Sequence, residues 1–370
     1  MGLVHLNAEG ASGVSNENLI KPQPWKTILP KLTSLLFALT FLLLSCSDSN
    51  QQKLVVYSPH GKELLEDFAK RFETAYPGVK VEWLDMGAQD ALDRVRSEKA
   101  NPQGDIWWGA PAPSFMQAAR EGLLQPYRPS WAGAVDSAFH DSQDYWYGTW
   151  VTPEIIMYNN RALTAEAAPQ DWDEVLSEHW RDKIVLRDPL ASGTMRAIFF
   201  AMIYRNYRLT GSTAAGFDWL RRLDANTKSY AANPTLLYLA LSRGEAQFTL
   251  WNHPDVPLQS QTYGHPFSYV VPKSGVPLVP EGLAIIAGAP HLELAKTFYE
   301  FVTTPESFIY AAQKYWRIPA RSDLDFSQFP PETNPQQFPA LPLDWKLYAD
   351  SSESWMKHWD ANIRNRGKKD

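Results

Sequence analysis

The sequence predicts an α/β protein of two lobes, each lobe a mostly parallel sheet flanked by helices. Three observations carry that expectation. Short β-rich runs alternate with stretches of helical apolar spacing, the order that builds parallel sheets covered on both faces. The alternation then restarts after an irregular aromatic stretch, Trp131 to Trp150. No internal repeat of solenoid length is present, so a stacked-repeat architecture is excluded.

The elements follow in order. Leu54-Val55-Val56-Tyr57 is a short strand. Leu64, Leu65, Phe68 and Phe72 recur at helical spacing, and Pro77-Gly78 stops that helix. Val79 to Trp83 alternates like a strand, and Ala88 to Ala100 reads as a helix with Leu92 and Val95 on its buried face. Asp105 to Trp108 is the next strand, and Ser114 to Glu121 a helix with Gly122 as C-terminal cap. Past the aromatic stretch, Ile155 to Tyr158 and Lys183 to Leu186 read as strands. Helices follow at Thr194 to Tyr207 and Ala214 to Leu223, then strands at Ala246 to Leu250, Phe267 to Val271 and Leu283 to Ile286. Leu292 to Val302, Pro305 to Tyr315 and Ser351 to Arg364 complete the helices.

Composition narrows the function. The chain carries 35 basic and 41 acidic side chains, a net charge of −6. The first 45 residues hold three lysines and two glutamates, so beyond them the charge is −7. Mild acidity argues against a nucleic-acid partner, which requires a basic footprint. Fifteen tryptophans suit both a core and a ligand cleft walled by flat side chains. Cys46 is the only cysteine, which excludes disulfides and cysteine metal cages. Upstream, Lys21, Lys26 and Lys31 precede an apolar run, Leu35 to Leu44. That run is short of the about 20 apolar residues a spanning helix needs and has the layout of a secretory signal. Leu43-Leu44-Ser45-Cys46 resembles the lipobox of bacterial lipoproteins. Residues 1–45 are then a leader, Cys46 the lipidated residue and 46–52 a tether.

Candidate chemistry sits in the turns that follow strands, where open α/β sheets bind ligands, often at helix N-termini. Ser58-Pro59-His60-Gly61 joins the first strand to its helix, and Gly61 lets backbone approach a ligand. Gly109-Ala110-Pro111-Ala112 follows the third strand, with Trp107 or Trp108 as a wall. Asp188-Pro189-Leu190-Ala191-Ser192-Gly193-Thr194 directly precedes a helix. There Ser192 and Thr194 hydroxyls and the Gly193 backbone, at the positive end of a helix dipole, suit a phosphate, phosphonate or carboxylate. It is no P-loop, since Gly-Lys-Thr and the Walker spacing are missing. Plain N-capping explains the same residues, and Arg196 fits a surface role as well as an anion contact. Asn252, His253 and Asp255 follow the strand that ends at Leu250. A His–Asp pair suits binding first, structure second and acid/base catalysis last, since no nucleophile motif accompanies it. No metal-ligand spacing is present. Glu281, in Pro280-Glu281-Gly282, enters a late strand as a candidate acceptor for a hydroxyl or amine.

Taken together, these segments resemble the solute-binding proteins of ABC importers, in the iron/phosphonate/sugar-phosphate branch of the type II periplasmic-binding-protein fold. The resemblance rests on Val55 to Gly61, Asp105 to Gly109, Ile156-Met157-Tyr158-Asn159, Asp188 to Thr194, Pro280 to Ile285 and Ala289 to Phe298. It covers roughly residues 53–320 and is specific for the family, not for a ligand. It implies chain crossovers near Trp150 to Pro153 and near Val271 to Glu281, with Trp150 and Thr152 touching ligand. It also implies lobe 1 at 53–150 plus about 275–320 and lobe 2 at 151–274; residues 321–370 lie outside the resemblance and are expected to pack on the lobes as a C-terminal extension. Iron-binding relatives carry two adjacent tyrosines where this chain has His253-Pro254. The oxygen dyad that hard ferric ion favours is missing there.

The reading is a non-enzymatic, lipid-anchored, extracytoplasmic monomer that captures a small anionic organic solute, a sugar phosphate or phosphonate, and delivers it to a membrane permease. Its expected contacts are Ser58, His60, Gly61, Gly109, Trp150, Thr152, Ser192, Gly193, Thr194, Asn252, His253, Asp255 and Glu281, with no cofactor and no metal. The alternatives are a ferric-ion or ferric-chelate binder of the same family, a secreted hydrolase using His253 and Asp255, and a sensor of the same fold.

Overall fold

A computed structural model describes residues 51–366; the leader, Cys46 and most of the tether lie outside the described residues. The first half begins with β1 (Gln52–Ser58), α1 (Lys62–Ala75), β2 (Val79–Asp85), α2 (Ala88–Ser97), β3 (Ile106–Pro111) and α3 (Ala112–Arg120). β1 pairs in parallel with β2 and β3. Leu64, Leu65, Phe68 and Phe72 of α1 are all buried, as their spacing predicts. The third helix starts at Ala112, before Ser114, because Pro113 occupies its first turn, where a missing N–H costs nothing.

β4 (Leu124–Gln125) leads toward β5 (Tyr147–Asn159), whose thirteen residues are all buried. The end of the stretch expected to be irregular is therefore strand. Pro153 is tolerated in it because the partner changes there: Pro153 faces Leu278, while Glu154 faces Asn252 of the next ladder. The missing donor falls at the junction of two ladders.

The second half holds β6 (Ile184–Arg187), α4 (Gly193–Thr210), α5 (Ala214–Asn226), β7 (Thr227–Ala231), α6 (Pro234–Ser242), β8 (Phe248–Asn252) and β9 (Phe267–Val270). Sequence reading missed β7 and α6. β7 is polar at its centre, and the leucine-rich α6 shows no clear period, although Asn233 caps it and Pro234 opens it. β10 (Leu278–Ile286) then returns to the first half, followed by α7 (Leu292–Val302), α8 (Pro305–Tyr315) and α9 (Trp345–Asn362). Pro280-Glu281-Gly282 lies inside β10, not in a turn before it. The register shifts at Glu281 against both neighbours, a bulge in which Gly282 leaves room for the Phe115 ring.

The strand order is β2-β1-β3-β10-β5-β8-β6-β7. The flanks are parallel as expected, but β10 and β5 run antiparallel to their neighbours. β5 carries the chain from the first half into the second and β10 carries it back, so the two run in opposite senses. Two apolar layers cover the first half: Phe68, Phe72, Trp108 and Phe298 on one face, Tyr57, Trp107, Phe115 and Trp146 on the other. Trp107 and Trp108 thus both serve the core, on opposite faces of a period-two strand. The second half buries Trp172, Phe199 and Phe248 together with Phe338, Met356 and Trp359 from the C-terminal segment.

Candidate functional site

Each candidate segment that the sequence singles out contributes residues to one cleft of about 730 Å3. Its walls come from the carboxyl ends of β1, β2 and β3 on one side and β6, β7 and β8 on the other. The two antiparallel strands β5 and β10 form its floor through Glu154, Val279 and Glu281.

On the first side, the Ser58 hydroxyl accepts from the His60 N–H at 3.1 Å, and Gly61 takes φ 83° to open the turn. Ser58 itself is fully buried and does not line the cleft. The His60 ring stands edge-on to Trp108, 5.3 Å between centroids. A Cβ on Gly109 would lie 2.2 Å from His60 Nε2, so Gly109 seats the imidazole rather than touching the cleft. Burial, and then the Arg317 charge, hold the His60 pKa well below its ordinary value. The ring is a neutral dipole, not an anion-binding cation.

On the second side, Ser192 caps α4 by accepting from the Met195 N–H at 3.3 Å. Ser192, Gly193 and Thr194 line the cleft. Arg196 does not join them. It holds the Pro189 and Leu190 carbonyls and reaches Gln89 Oε1 of the first half at 2.7 Å. The halves meet closely here: a Cβ on Gly193 would lie 2.9 Å from the Pro111 ring, and one on Gly87 2.6 Å from the Ala191 carbonyl.

The Asp255 carboxylate is already committed. Its Oδ2 accepts from Tyr238 Oη at 2.6 Å, Trp251 Nε1 at 2.8 Å and Asn252 Nδ2 at 2.9 Å. Asn252 and Asp255 therefore form a stiff wall of the cleft. Glu281 Oε2 sits 3.7 Å from His60 Nδ1 and 3.8 Å from an Arg317 terminal nitrogen. Burial raises the Glu281 pKa, and the Arg317 charge opposes that.

Five expected contacts lie off the cleft: Ser58 and Gly109, described above, and His253, Trp150 and Thr152. His253 lies under the wall, fully buried between Tyr269 and Phe338, at 4.8 and 4.7 Å, and neither ring nitrogen has a partner. Its N–H donates to the Pro153 carbonyl, which turns the side chain away from the cleft. Burial pushes its pKa down to about 4, so no His253–Asp255 acid/base pair faces the cleft. Trp150 packs on Phe308 at 4.8 Å, and Thr152 is buried beside Glu281; neither lines the cleft. Trp150, Thr152 and Glu154 share one face of β5; the first two are covered by the protein and only Glu154 reaches the cleft.

Sequence reading missed Arg187, Arg317 and Glu154. Arg187 ends β6 and is nearly buried, with one bond, to the Ala231 carbonyl at 3.2 Å. A charged residue closing an apolar strand before Asp-Pro was the available signal. Arg317 enters after Trp316 caps α8 in the left-handed region, φ 52°, and its buried Nε has no partner. Lys62, Arg187 and Arg317 share the cleft with Glu63, Asp85, Asp90, Glu154, Asp255 and Glu281. The cleft thus offers anion-binding groups and an excess of acceptors.

Comparison with known proteins gives the family. A Sinorhizobium fredii protein named as a probable ABC transporter periplasmic-binding protein is 27% identical over 84% of this chain and 86% of its own. A Salmonella typhimurium protein named "Putative 2-aminoethylphosphonate-binding periplasmic protein" is 24% identical over 89% of this chain and 94% of its own. The solved structure of the periplasmic binding protein AfuA from Actinobacillus pleuropneumoniae, with fructose 6-phosphate bound, superposes with a TM-score of 0.75 at 23% identity, over 85% of this chain and 99% of that one. The model of the bacterial extracellular solute-binding proteins matches residues 67–339, and the chain belongs to that family.

Proposed function

We propose that this protein captures a small anionic organic solute, a sugar phosphate or a phosphonate, and delivers it without turnover to the permease of an ABC importer. One observation carries the reading: Arg187 and the Ser192–Thr194 start of α4 open on the same cleft, from the same side. A buried guanidinium and the positive end of a long helix both favour an anion. The carboxylates opposite suit hydroxyl or ammonium groups of the organic part. 2-Aminoethylphosphonate, for which a relative is named, and fructose 6-phosphate, bound in a structure of the same fold, each carry an anion together with an ammonium or hydroxyl groups.

The test is a thermal-shift and calorimetry screen of fructose 6-phosphate, 2-aminoethylphosphonate, inorganic phosphate and ferric citrate. A bound solute at a hundred times its Kd stabilises the fold by about 2.7 kcal/mol. Arg187→Gln should weaken binding of the organic anion by about ten- to a hundredfold. A melting point moved only by the ferric salt refutes the reading.

The same proposal includes closure of a lobe at 53–150 plus about 275–320 on a lobe at 151–274. It also includes a monomer held at the membrane by lipid on Cys46 once residues 1–45 are removed. Among the described residues no helix is long and apolar enough to cross a membrane. Cys46→Ser should release the protein from membrane fractions, and continued retention would rule out the anchor.

A further inference from the structure

Glu154 is the cleft group that nothing in the protein balances. It stands where β5 exchanges β10 for β8, opposite Asn252, and is 1% exposed. It lines the cleft, and its Oε2 has no hydrogen-bond partner. Among the described residues no cation pairs with it. Arg187 bonds the Ala231 carbonyl, Arg196 is spent on Gln89, Pro189 and Leu190, and Arg317 lies against Glu281. The other titratable neighbours are the acids Glu281 and Asp255 and, on α9, Tyr348. The remaining close group is the Thr194 hydroxyl, at the start of α4.

An ionised carboxylate in such a place is costly, because burial removes its water and two acids repel it. Burial first, then the Glu281 charge, raises its pKa well above the carboxylate range; the Thr194 hydroxyl opposes this, and the Asp255 charge adds to it. A protonated acid, by contrast, gains a donor that is free to point into the cleft.

We propose that Glu154 meets the solute as an un-ionised carboxylic acid, and that its hydroxyl donates a hydrogen bond to an anionic oxygen held at the start of α4. This rests on the anion reading above. It makes Glu154 a specificity residue: it favours an oxyanion beside Thr194 and rejects an ammonium there. The binding-competent state carries the proton. Once the free protein loses that proton, affinity falls by up to tenfold per pH unit relative to Glu154→Gln, a comparison that cancels the solute's own titration at about pH 6.

The test has two arms on the full-length protein. The first is the infrared difference between wild type and Glu154→Gln, without solute, at neutral pH. It should show the carbonyl stretch of a protonated carboxylic acid; a carboxylate band instead overturns the proposal. The second is calorimetry with fructose 6-phosphate and 2-aminoethylphosphonate. Glu154→Gln, which keeps a neutral donor, should bind within a few fold of wild type and lose the fall at high pH. Glu154→Ala should lose about ten- to a hundredfold. Equal losses in Gln and Ala mean an ionised acceptor, and overturn the proposal while the anion reading stands. If neither solute binds wild type, the anion reading fails and this proposal fails with it.

Discussion

Replacing Gly193 with alanine is expected to weaken solute binding by about five- to a hundredfold while leaving the ligand-free melting temperature unchanged or higher. The new Cβ would sit 2.9 Å from two carbons of the Pro111 ring and 3.2 Å from Ala88 Cβ. Carbon atoms at rest stay about 3.5–4.0 Å apart, so the ring must retreat by roughly 0.6 Å or more. Pro111 cannot yield freely, since it faces Glu281 in β10 and leads directly into α3. Overpacking of this kind costs about 1–3 kcal/mol, which is the stated loss of affinity. Gly193 and Pro111 belong to opposite sides of the cleft, so under the proposed lobe closure separating the sides relieves the clash and the cost appears in binding. Helix propensity works the other way, since alanine improves on glycine by up to about 1 kcal/mol. Titration calorimetry reads the first effect, and scanning calorimetry without solute reads the second. Unchanged affinity would refute the idea that the two sides approach at this point during closure. A lowered ligand-free melting temperature would show that the contact belongs to the resting fold.

Two further outcomes test the interior. His253 has a pKa of about 4 against an ordinary 6.5, so between those values the unfolded chain binds a proton that the folded one does not. Stability therefore falls as pH drops from 6.5 toward 4, by about 3 kcal/mol in total. His253→Leu should remove that fall in acid denaturation curves, and an unchanged pH profile would contradict the burial argument. Trp359 lies fully buried against Phe199 and Tyr230, at 5.4 and 5.2 Å. Trp359→Ala should cost about 3–5 kcal/mol in urea unfolding, and a cost under 1 kcal/mol would mean that α9 docks loosely on a core complete without it.

The site was legible in proportion to how local its signals are. Ser192, Gly193 and Thr194 precede a long apolar helix, and a helix start is written in consecutive residues. His60, Gly61, Asn252, Asp255 and Glu281 were found by the rule that strand ends face the ligand, and they line the cleft. The same rule placed Ser58, Gly109 and His253 there wrongly. Around a strand end, one residue of slip decides between cleft and core, and that depends on the turn's backbone. Trp150 and Thr152 were sought beside a hinge and proved to be core, whereas Glu154, two residues on, faces the cleft.

The sequence by itself determined the alternation of strands and helices, the restart after the aromatic stretch and the family. Each of these lives in periodicity and short motifs that neighbouring residues express alone. Only the tertiary structure decided the antiparallel entry of β5 and β10, the neutral state of His60 and the arrival of Arg317 beneath Glu281. Those outcomes depend on pairings between distant segments and on how much water burial removes. No local pattern encodes either quantity.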